Sequence, residues 1–245
     1  MTIAGIIPAR FASTRFPGKP LADIRGRSMI RRVYEQCQRS TMLDAVVVAT
    51  DDSRIADHVN AFGGHVVMTA PEHPSGTDRC NEALGKLGGT FDYVINIQGD
   101  EPFIDPEQIA LLAGLLDGKT ELATLAKVIT DPGMIHNPNV VKVVFNTRGE
   151  ALYFSRSPIP HVRGKQETDW SSAFTFHRHI GMYAYRADVL KSITQLSPSS
   201  LESAESLEQL RWLENGYRIR IAVTDIESAG IDTPQDIENL PDHLI

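Results

Sequence analysis

The chain has 245 residues, a formal net charge of -7 at pH 7 and 42% hydrophobic residues. A chain of this size and composition predicts a single globular domain over residues 1–245 with a substantial apolar core. The acidic balance argues against a nucleic-acid partner, because such binding needs many cationic contacts to phosphates. No apolar run approaches the roughly 20 residues that cross a bilayer, so we expect no membrane association.

The first residues and the cysteines indicate a cytoplasmic protein. The apolar N-terminus has no basic leader and is interrupted by Pro8, which is not typical of a signal peptide. Cys37 and Cys80 have no neighbouring cysteine, so we expect two reduced, buried thiols.

In the first half of the chain, short apolar strands alternate with helical patterns. The predicted strands are Ile3–Ile7, Ala45–Ala49, His65–Met68 and Tyr93–Ile97. The predicted helices are Met29–Arg39, Ser53–Phe62, Thr77–Leu87 and Pro106–Leu116. Strands this apolar, separated by helices, predict an α/β fold with a doubly wound, mostly parallel sheet covered on both faces. Ligands of such folds bind beyond the carboxyl ends of the strands.

The second half is less regular. Its pattern predicts a hairpin of Val140–Phe145 with Ala151–Phe154, strands at Phe176–Tyr185 and Tyr217–Val223, and one long helix over Leu201–Asn215. Thr233 caps the last predicted helix, and Pro234 occupies its first position.

A basic loop follows the first strand. It carries three cations with two hydroxyl side chains among them, which are Arg10, Ser13, Thr14, Arg15 and Lys19. Arg clamps two phosphate oxygens at once and Lys supplies a mobile point charge, so the loop predicts a polyphosphate site. The loop lacks the Gly-Lys-Ser/Thr pattern of a Walker loop, so side chains would hold most of the phosphate.

Two aspartates are candidates to complete this site. Asp100 follows the strand Tyr93–Ile97 and therefore lies at the same sheet edge as the basic loop. A carboxylate there would repel phosphate unless a hard cation bridged them, so Asp100 predicts Mg²⁺. Asp232 is a second candidate ligand because Thr233 can cap the helix; otherwise Asp232 is itself a cap. We expect Lys19, Asp100 and Asp232 to converge at one rim of the fold.

Three other groups have both a structural and a functional interpretation. Ser75, Thr77 and Arg79 begin a predicted helix, where they either read a base or sugar edge or cap the helix. One face of a strand carries His177, His179, Tyr183 and Tyr185. This face favours a wall for a polyhydroxylated substrate over a metal site, because no third metal ligand is evident nearby. One helical stripe carries Glu205, Glu208, Gln209 and Trp212, and it is either a binding surface or a solvated face.

Several motifs together resemble a known family. They are Ile7–Arg10, Pro17–Leu21, Ala49–Asp52, Ser75–Arg79, Gln98–Pro102, Asn137–Val144, Ala151–Arg156 and Gly230–Pro234. In this order, over essentially the whole chain, they resemble the sugar nucleotidyltransferases, and among these the cytidylyltransferases that act on 3-deoxy-manno-octulosonate (Kdo).

The resemblance implies a nucleotide-diphospho-sugar transferase-like fold. It implies a smaller mixed α/β sub-region, about residues 131–190, for sugar binding and dimerisation. It also implies a homodimeric enzyme that converts CTP and Kdo to CMP-Kdo and pyrophosphate with Mg²⁺, for lipopolysaccharide synthesis.

The resemblance further implies roles for individual residues. The triphosphate would be held by Arg10 and Lys19, assisted by Ser13 and Arg15. Cytidine would be read by Ala9, Ser75, Arg79 and Gln98. The metal ligands would be Asp100 and Asp232, which form the catalytic group together with Arg10 and Lys19. The sugar acid would be contacted by Arg156, His179, Tyr183, Glu208 and Gln209.

The residues alone leave other functions open. The pocket residues do not separate Kdo from a related acid sugar such as 8-amino-Kdo or sialic acid. A nucleotide-sugar glycosyltransferase would also use acidic metal ligands, but it would need no triphosphate clamp. A non-catalytic nucleotide-binding regulator would not need the pair Asp100 and Asp232.

Overall fold

A computed structural model gives the fold and describes residues 1–12, 16–227 and 230–240. The strands are β1 (Ile3–Ala9), β2 (Asp23–Ile24), β3 (Arg27–Ser28), β4 (Ala45–Thr50), β5 (Val66–Met68), β6 (Tyr93–Asn96), β7 (Leu122–Val128), β8 (Lys142–Phe145), β9 (Ala151–Ser155), β10 (His177–Arg186) and β11 (Ile219–Val223). The helices are α1 (Met29–Gln38), α2 (Ser53–Ala61), α3 (Gly76–Lys86), α4 (Pro106–Ala113), α5 (Gly133–His136), α6 (Trp170–Ala173), α7 (Ala187–Ile193), α8 (Ser200–Glu205), α9 (Glu208–Glu214) and α10 (Pro234–Glu238). The alternation of strands and helices confirms the predicted α/β class.

The chain divides into two compact units. The first comprises Met1–Ala113 with Glu227–Ile245, and the second comprises Gly114–Ile226. The segment predicted for sugar binding and dimerisation, about residues 131–190, falls within the second unit. The interpretation of residues 1–245 as one domain stays a prediction.

The first unit is built on a parallel sheet. Its strands follow the order β6-β1-β4-β5, and β1 pairs in parallel with both β4 and β6. Six of the seven residues of β1 are buried, as are five of the six residues of β4. Since successive side chains of a strand point to opposite faces, this burial shows that both faces of the sheet are covered.

The second unit has a mixed sheet. Strand β11 runs parallel to β7, whereas β10 runs antiparallel to β7. Strand β8 pairs with β10, and β8 and β9 form the predicted antiparallel hairpin. The sequence analysis did not predict β7, because its alternating leucines and alanines fit a short buried helix as well as a strand.

One predicted element is wrong. The region 201–215 is not one helix: α8 ends at Glu205, the next residue Ser206 has a left-handed φ of 52°, and α9 begins at Glu208. A left-handed residue cannot continue a right-handed helix, and the stripe pattern does not reveal it. As predicted, Cys37 and Cys80 are both buried and form no disulfide with each other.

The helices of the described ranges are all too short or too polar to cross a bilayer.

Candidate active site

The end of β1 opens into a polar cavity of about 480 Å³ in the first unit. Its walls come from the loop after β1, the loop after β6 and the segment before α10. The lining residues are Pro8, Ala9, Arg10, Ala12, Lys19, Pro20, Gln98, Gly99, Asp100 and Asp232. The cavity therefore lies at the carboxyl ends of two adjacent parallel strands, as the α/β pattern predicts.

Lys19 lies at the centre of the charged groups in this cavity. Its Nζ donates to Oδ2 of Asp100 at 2.7 Å and to Oδ1 of Asp232 at 3.3 Å. The lysine side chain is 12% exposed, whereas the aspartate side chains are 41% and 61% exposed. The structure thus confirms that these three groups, 213 positions apart at the extremes, converge at one rim.

A close approach of two backbones sets the position of Asp100. A Cβ added to Gly99 would lie 2.9 Å from the carbonyl oxygen of Pro8, closer than real Cβ contacts allow. Only glycine lets the loop after β6 lie against the end of β1. Gly99 therefore explains why the next residue, Asp100, can reach Lys19.

Asp232 is positioned by its neighbours on both sides. The amide of Ile231 donates to the carbonyl of Asp100 at 2.9 Å, and the Ile231 side chain packs with Ile24 and Met29. On the other side, the Asp236 carboxylate accepts from the amide of Asp232 at 2.8 Å and completes a capping box with Thr233. Thr233 therefore takes the cap, and the Asp232 carboxylate is left to face Lys19.

The two carboxylates fit a magnesium ion by their chemistry. Mg²⁺ prefers oxygen ligands and is commonly held by one or two carboxylates together with substrate phosphates. Asp100 and Asp232 already converge on one cation, the Lys19 ammonium. No cluster of three or more acidic, histidine or cysteine side chains that could hold a metal is found within the described residues. Were Mg²⁺ to bind in this cavity, Asp100 and Asp232 would be the residues that hold it.

The remaining predicted phosphate and cytidine residues are distributed around the cavity. Arg10, Ala9 and Gln98 line it. Ser13 and Arg15 lie outside the described residues. The loop is closed by the amide of Gly18, which donates to the carbonyl of Phe11 at 3.0 Å.

Ser75 and Arg79 lie near the cavity but do not line it. The Ser75 side chain caps α3 by accepting from the amide of Asp78, and α3 begins against Pro8, since a Cβ on Gly76 would lie 3.3 Å from the proline ring. Arg79 is 1% exposed. Burial lowers the pKa of Arg79, and the Asp51 carboxylate opposes this shift.

Asp51 is a residue that the sequence analysis did not assign to the site. Nη1 of Arg79 lies 3.4 Å from Oδ1 of Asp51 and donates to the Thr69 hydroxyl. Within the described residues, Nη2 of Arg79 has no hydrogen-bond partner. Asp51 and Thr69 thus orient the buried guanidinium of Arg79. Its position in the sequence was the available signal, because Asp51 directly follows β4 and so lies at the same sheet edge as the cavity.

The second unit holds the residues predicted to contact a sugar acid. His179 and Tyr183 lie on β10 with ring centroids 5.2 Å apart, and Trp212 of α9 packs edge-on against Tyr183. Burial raises the pKa of Tyr183 well above its usual value, with further contributions from Tyr185 and Glu208. Glu208 and the buried Gln209 form the start of α9. These side chains are thus brought together by β10 and α9.

Arg156 is held by backbone carbonyls on both sides of it in space, two of which lie just before α9. Its guanidinium donates to the carbonyl oxygens of Glu205 at 2.7 Å, Pro138 at 3.1 Å and Ser206 at 3.3 Å. The Glu205 carboxylate in turn accepts from the Ser155 hydroxyl and the Arg156 amide. Glu205 therefore belongs to a buried polar network, which the stripe pattern could not distinguish from a solvated face.

Lys142 is the cation that the sequence analysis missed in this unit. Its side chain is fully buried, and its Nζ donates to the carbonyls of Asn137, Val140 and Arg156. Burial lowers the pKa of Lys142, and Glu205 opposes this shift. The ammonium ties the loop before β8 to the end of β9. An isolated lysine inside an apolar strand was the available signal.

Comparison with known proteins places this geometry in a class of enzymes. The profile of the family described as Cytidylyltransferase matches residues 4–221. The chain belongs to the cytidylyltransferase family and is a nucleotidyltransferase enzyme.

The similarity extends to particular members over their full length. The chain is 60% identical to the 3-deoxy-manno-octulosonate cytidylyltransferase of Cytophaga hutchinsonii, over 97% of this chain and 95% of that protein. It is 58% identical to the protein of the same name from Parabacteroides distasonis, over 97% and 96% of the two chains. A solved structure of a CMP:2-keto-3-deoxy-manno-octonic acid synthetase complexed with CTP matches with a TM-score of 0.90 at 44% identity, covering 98% of this chain and 96% of that one. The predicted resemblance and fold are confirmed.

Proposed function

We propose that this enzyme transfers CMP from CTP to the anomeric hydroxyl of Kdo and releases pyrophosphate. The main support for the transfer step is the convergence of Asp100 and Asp232 on Lys19 in a cavity at the end of β1. The names of the full-length relatives support Kdo as the acceptor, and the CTP bound in the similar solved structure supports CTP as the donor.

The reaction is an in-line displacement at the α-phosphorus of CTP. The anomeric oxygen of Kdo forms the new bond to phosphorus, and the bond to the bridging oxygen between the α- and β-phosphates breaks. The leaving group is pyrophosphate, and the hydroxyl proton passes to solvent. In transfers of this kind a protein contributes mainly by positioning the reactants and by stabilising charge.

The cations of the cavity supply that stabilisation. Arg10 and Lys19 would hold the β- and γ-phosphates and stabilise the negative charge that accumulates on the leaving pyrophosphate. Asp100 and Asp232 would hold Mg²⁺. When bound, the ion lowers the pKa of the attacking hydroxyl and neutralises charge on the phosphate. Lys19 would then lie between the two carboxylates and the phosphates. Its ammonium would connect the residues that hold the metal ion with the groups that hold the triphosphate.

The base and the sugar would be held by other groups. Arg79 keeps a buried donor, Nη2, that could bond to an acceptor on the cytosine ring, and Ala9, Ser75 and Gln98 would complete that recognition. His179, Tyr183, Glu208 and Gln209 offer polar groups for a polyhydroxylated acid. Arg156 supplies the cation that the carboxylate of the sugar acid needs.

We also propose that the enzyme is a cytoplasmic homodimer. The segment around residues 131–190 exposes large apolar side chains, among them Leu152 at 60% and Phe174 at 42%. Where such side chains adjoin, they form the contiguous apolar patches that mark interaction surfaces. Light scattering should give twice the mass of the chain, and Leu152→Asp should shift the measured mass toward that of one chain.

The central experiment measures pyrophosphate release with CTP, ATP, GTP or UTP, each with and without Kdo. We expect release only with CTP and Kdo together. Kdo is then replaced by 8-amino-Kdo or sialic acid in parallel reactions. Equal rates with another acid sugar would reassign the acceptor, and no pyrophosphate with any pair of substrates would refute nucleotidyl transfer.

A further inference from the structure

A bulge in β10 brings one buried hydroxyl to the side chain of His179. Along β10, Ile180 pairs with Leu125 and Tyr183 pairs with Thr124, so two residues of β10 stand between neighbouring pairs. The Thr124 side chain is fully buried at this point. Its Oγ1 lies 3.0 Å from the carbonyl oxygen of Ile180 and 2.7 Å from that of Met182. Nε2 of His179 lies 3.0 Å from the same Oγ1.

The hydrogen count at Thr124 decides the direction of the third bond. A hydroxyl has one hydrogen to donate and can accept through its lone pairs. A carbonyl oxygen only accepts, whereas the Tyr183 hydroxyl, which also interacts with the Thr124 side chain, can donate its own hydrogen to Oγ1. The hydrogen of Thr124 must therefore point to Ile180 or Met182. If it pointed instead to Nε2 of His179, two buried oxygen–oxygen contacts would have no hydrogen between them, which is costly. Nε2 must therefore carry the hydrogen and donate it to Oγ1.

We propose that Thr124 is a positioning residue that fixes His179 as the tautomer with its hydrogen on Nε2, so that Nδ1 accepts a hydrogen bond from a hydroxyl group of the sugar acid. This inference rests on the proposed function for the identity of the ligand. The assignment of the tautomer does not depend on the proposed function.

The surroundings of the ring fit this role. Phe154 packs edge-on against His179 with centroids 5.1 Å apart, and Tyr183 packs on it at 5.2 Å. The backbone amide of His179 is held by the carbonyl of Val141 at 2.8 Å. The aromatic neighbours and the hydrogen bond to Thr124 together fix the plane of the ring. Nδ1 can therefore accept a hydrogen bond from one direction only. Burial also lowers the pKa of His179 to about 3, so the ring is neutral near pH 7 and keeps an acceptor.

The first test reads the tautomer directly. The protein is labelled with ¹⁵N-histidine, and the ring nitrogen shifts of His179 are assigned by comparison with His179→Gln. We expect the hydrogen on Nε2 in wild type and in Thr124→Ser, which keeps the hydroxyl. In Thr124→Val, which is similar in shape but has no hydroxyl, the preference should be lost. A hydrogen on Nδ1 in the wild-type protein overturns the proposal, whether or not the valine variant folds.

The second test measures KM for Kdo and for CTP separately. Loss of one hydrogen bond that orients a ligand group should raise the KM for Kdo about tenfold in Thr124→Val and leave the KM for CTP unchanged. Thr124→Ser should retain the wild-type values. Equal rises in both KM values, or no rise with the valine variant, would contradict a positioning role. If Kdo is not a substrate at all, the proposed function fails while the NMR result still decides the tautomer.

Discussion

The two units of the molecule build their polar sites in opposite ways. In the first unit, one lysine meets two carboxylates that are 41% and 61% exposed at the rim of an open cavity. In the second unit, Lys142 and Thr124 are fully buried; Lys142 donates to three carbonyl oxygens, and the Thr124 hydroxyl lies within hydrogen-bond distance of two. Exposed charges can rearrange around a ligand, whereas a buried network must be complete before any ligand arrives. Substitutions at the open site should therefore affect turnover, and those in the buried network should affect stability as well.

The largest effect should come from the open site. Lys19→Ala removes the ammonium that both aspartates contact, and Asp100→Asn removes one of the two carboxylates. Loss of one preorganised charge typically costs about 3 kcal/mol in the transition state, so turnover should fall about 10²–10³-fold in each variant. Melting temperatures should stay close to wild type because both carboxylates are partly exposed, so that water can replace the lost contacts. Lys191→Ala, at an exposed position in the second unit, is the control, and wild-type turnover in Lys19→Ala would reject the role of the ammonium.

In the buried network of the second unit, a substitution should lower the stability of the fold. Lys142→Met has a side chain of similar length but removes the donor to the carbonyls of Val140 and Arg156, and leaves the Asn137 carbonyl with the Val140 amide alone. Each unsatisfied buried group costs about 1–3 kcal/mol, so the free energy of unfolding should fall by about 3 kcal/mol or more. Urea denaturation measures it. The exposed Lys191→Met should change it by less than about 0.5 kcal/mol. A similar, small change in both variants would show that the buried ammonium is dispensable.

Arg156 should separate the sugar from the nucleotide. Arg156→Ala removes the proposed partner of the sugar carboxylate, and charge-assisted bonds are worth about 1.5–3 kcal/mol. The KM for Kdo should therefore rise at least about tenfold, and the KM for CTP should change much less. Arg156→Lys keeps the charge but loses the forked geometry, so it should recover part of the affinity. Parallel rises in both KM values would indicate general loosening around Glu205 instead.

The smallest expected effect concerns a surface carboxylate of the first unit. The Lys86 ammonium, the amide of Ala70 and the ring of His73 all bind the Glu82 carboxylate and lower its pKa to about 2. Because the folded-state pKa lies below the usual 4.5, this stabilisation is fully present above about pH 4.5 and is lost as the pH falls toward 2.

Glu82→Gln should thus lower the free energy of unfolding by about 1 kcal/mol at pH 7, a value reduced by solvent screening. The difference from wild type should shrink between pH 4.5 and pH 2 in urea titrations. A difference that is constant over this range would mean that the charge of Glu82 contributes nothing.

The sequence was informative where residue type and chain order were sufficient. The cations after β1, Asp100 after β6 and the cap at Thr233 follow from local chemistry and from the rule that parallel strands end at one edge. The approach of Gly99 to Pro8 agrees with the freedom that glycine gives the backbone.

The remainder depended on tertiary contacts that no local pattern encodes. Nothing in the sequence places Thr124 opposite a bulge of β10. The pattern of β7 fits a helix as well as a strand, and the bulge shifts the register of the pairing between β10 and β7. The division of the predicted long helix depends on one left-handed residue, Ser206. Buried polar groups such as Lys142 are recognised only once their acceptors are located, since the same side chain on a surface would have no such role.

Magnesium dependence tests the central claim most directly, since the claim is that Asp100 and Asp232 act as one metal-binding pair beside Lys19. Pyrophosphate release from CTP and Kdo is measured as Mg²⁺ is raised, for wild type, Asp100→Asn, Asp232→Asn and the exposed control Asp57→Asn. We expect both site variants to need at least about tenfold more Mg²⁺, or to show no turnover, while the control matches wild type. Wild-type magnesium dependence and turnover in either site variant would contradict the account.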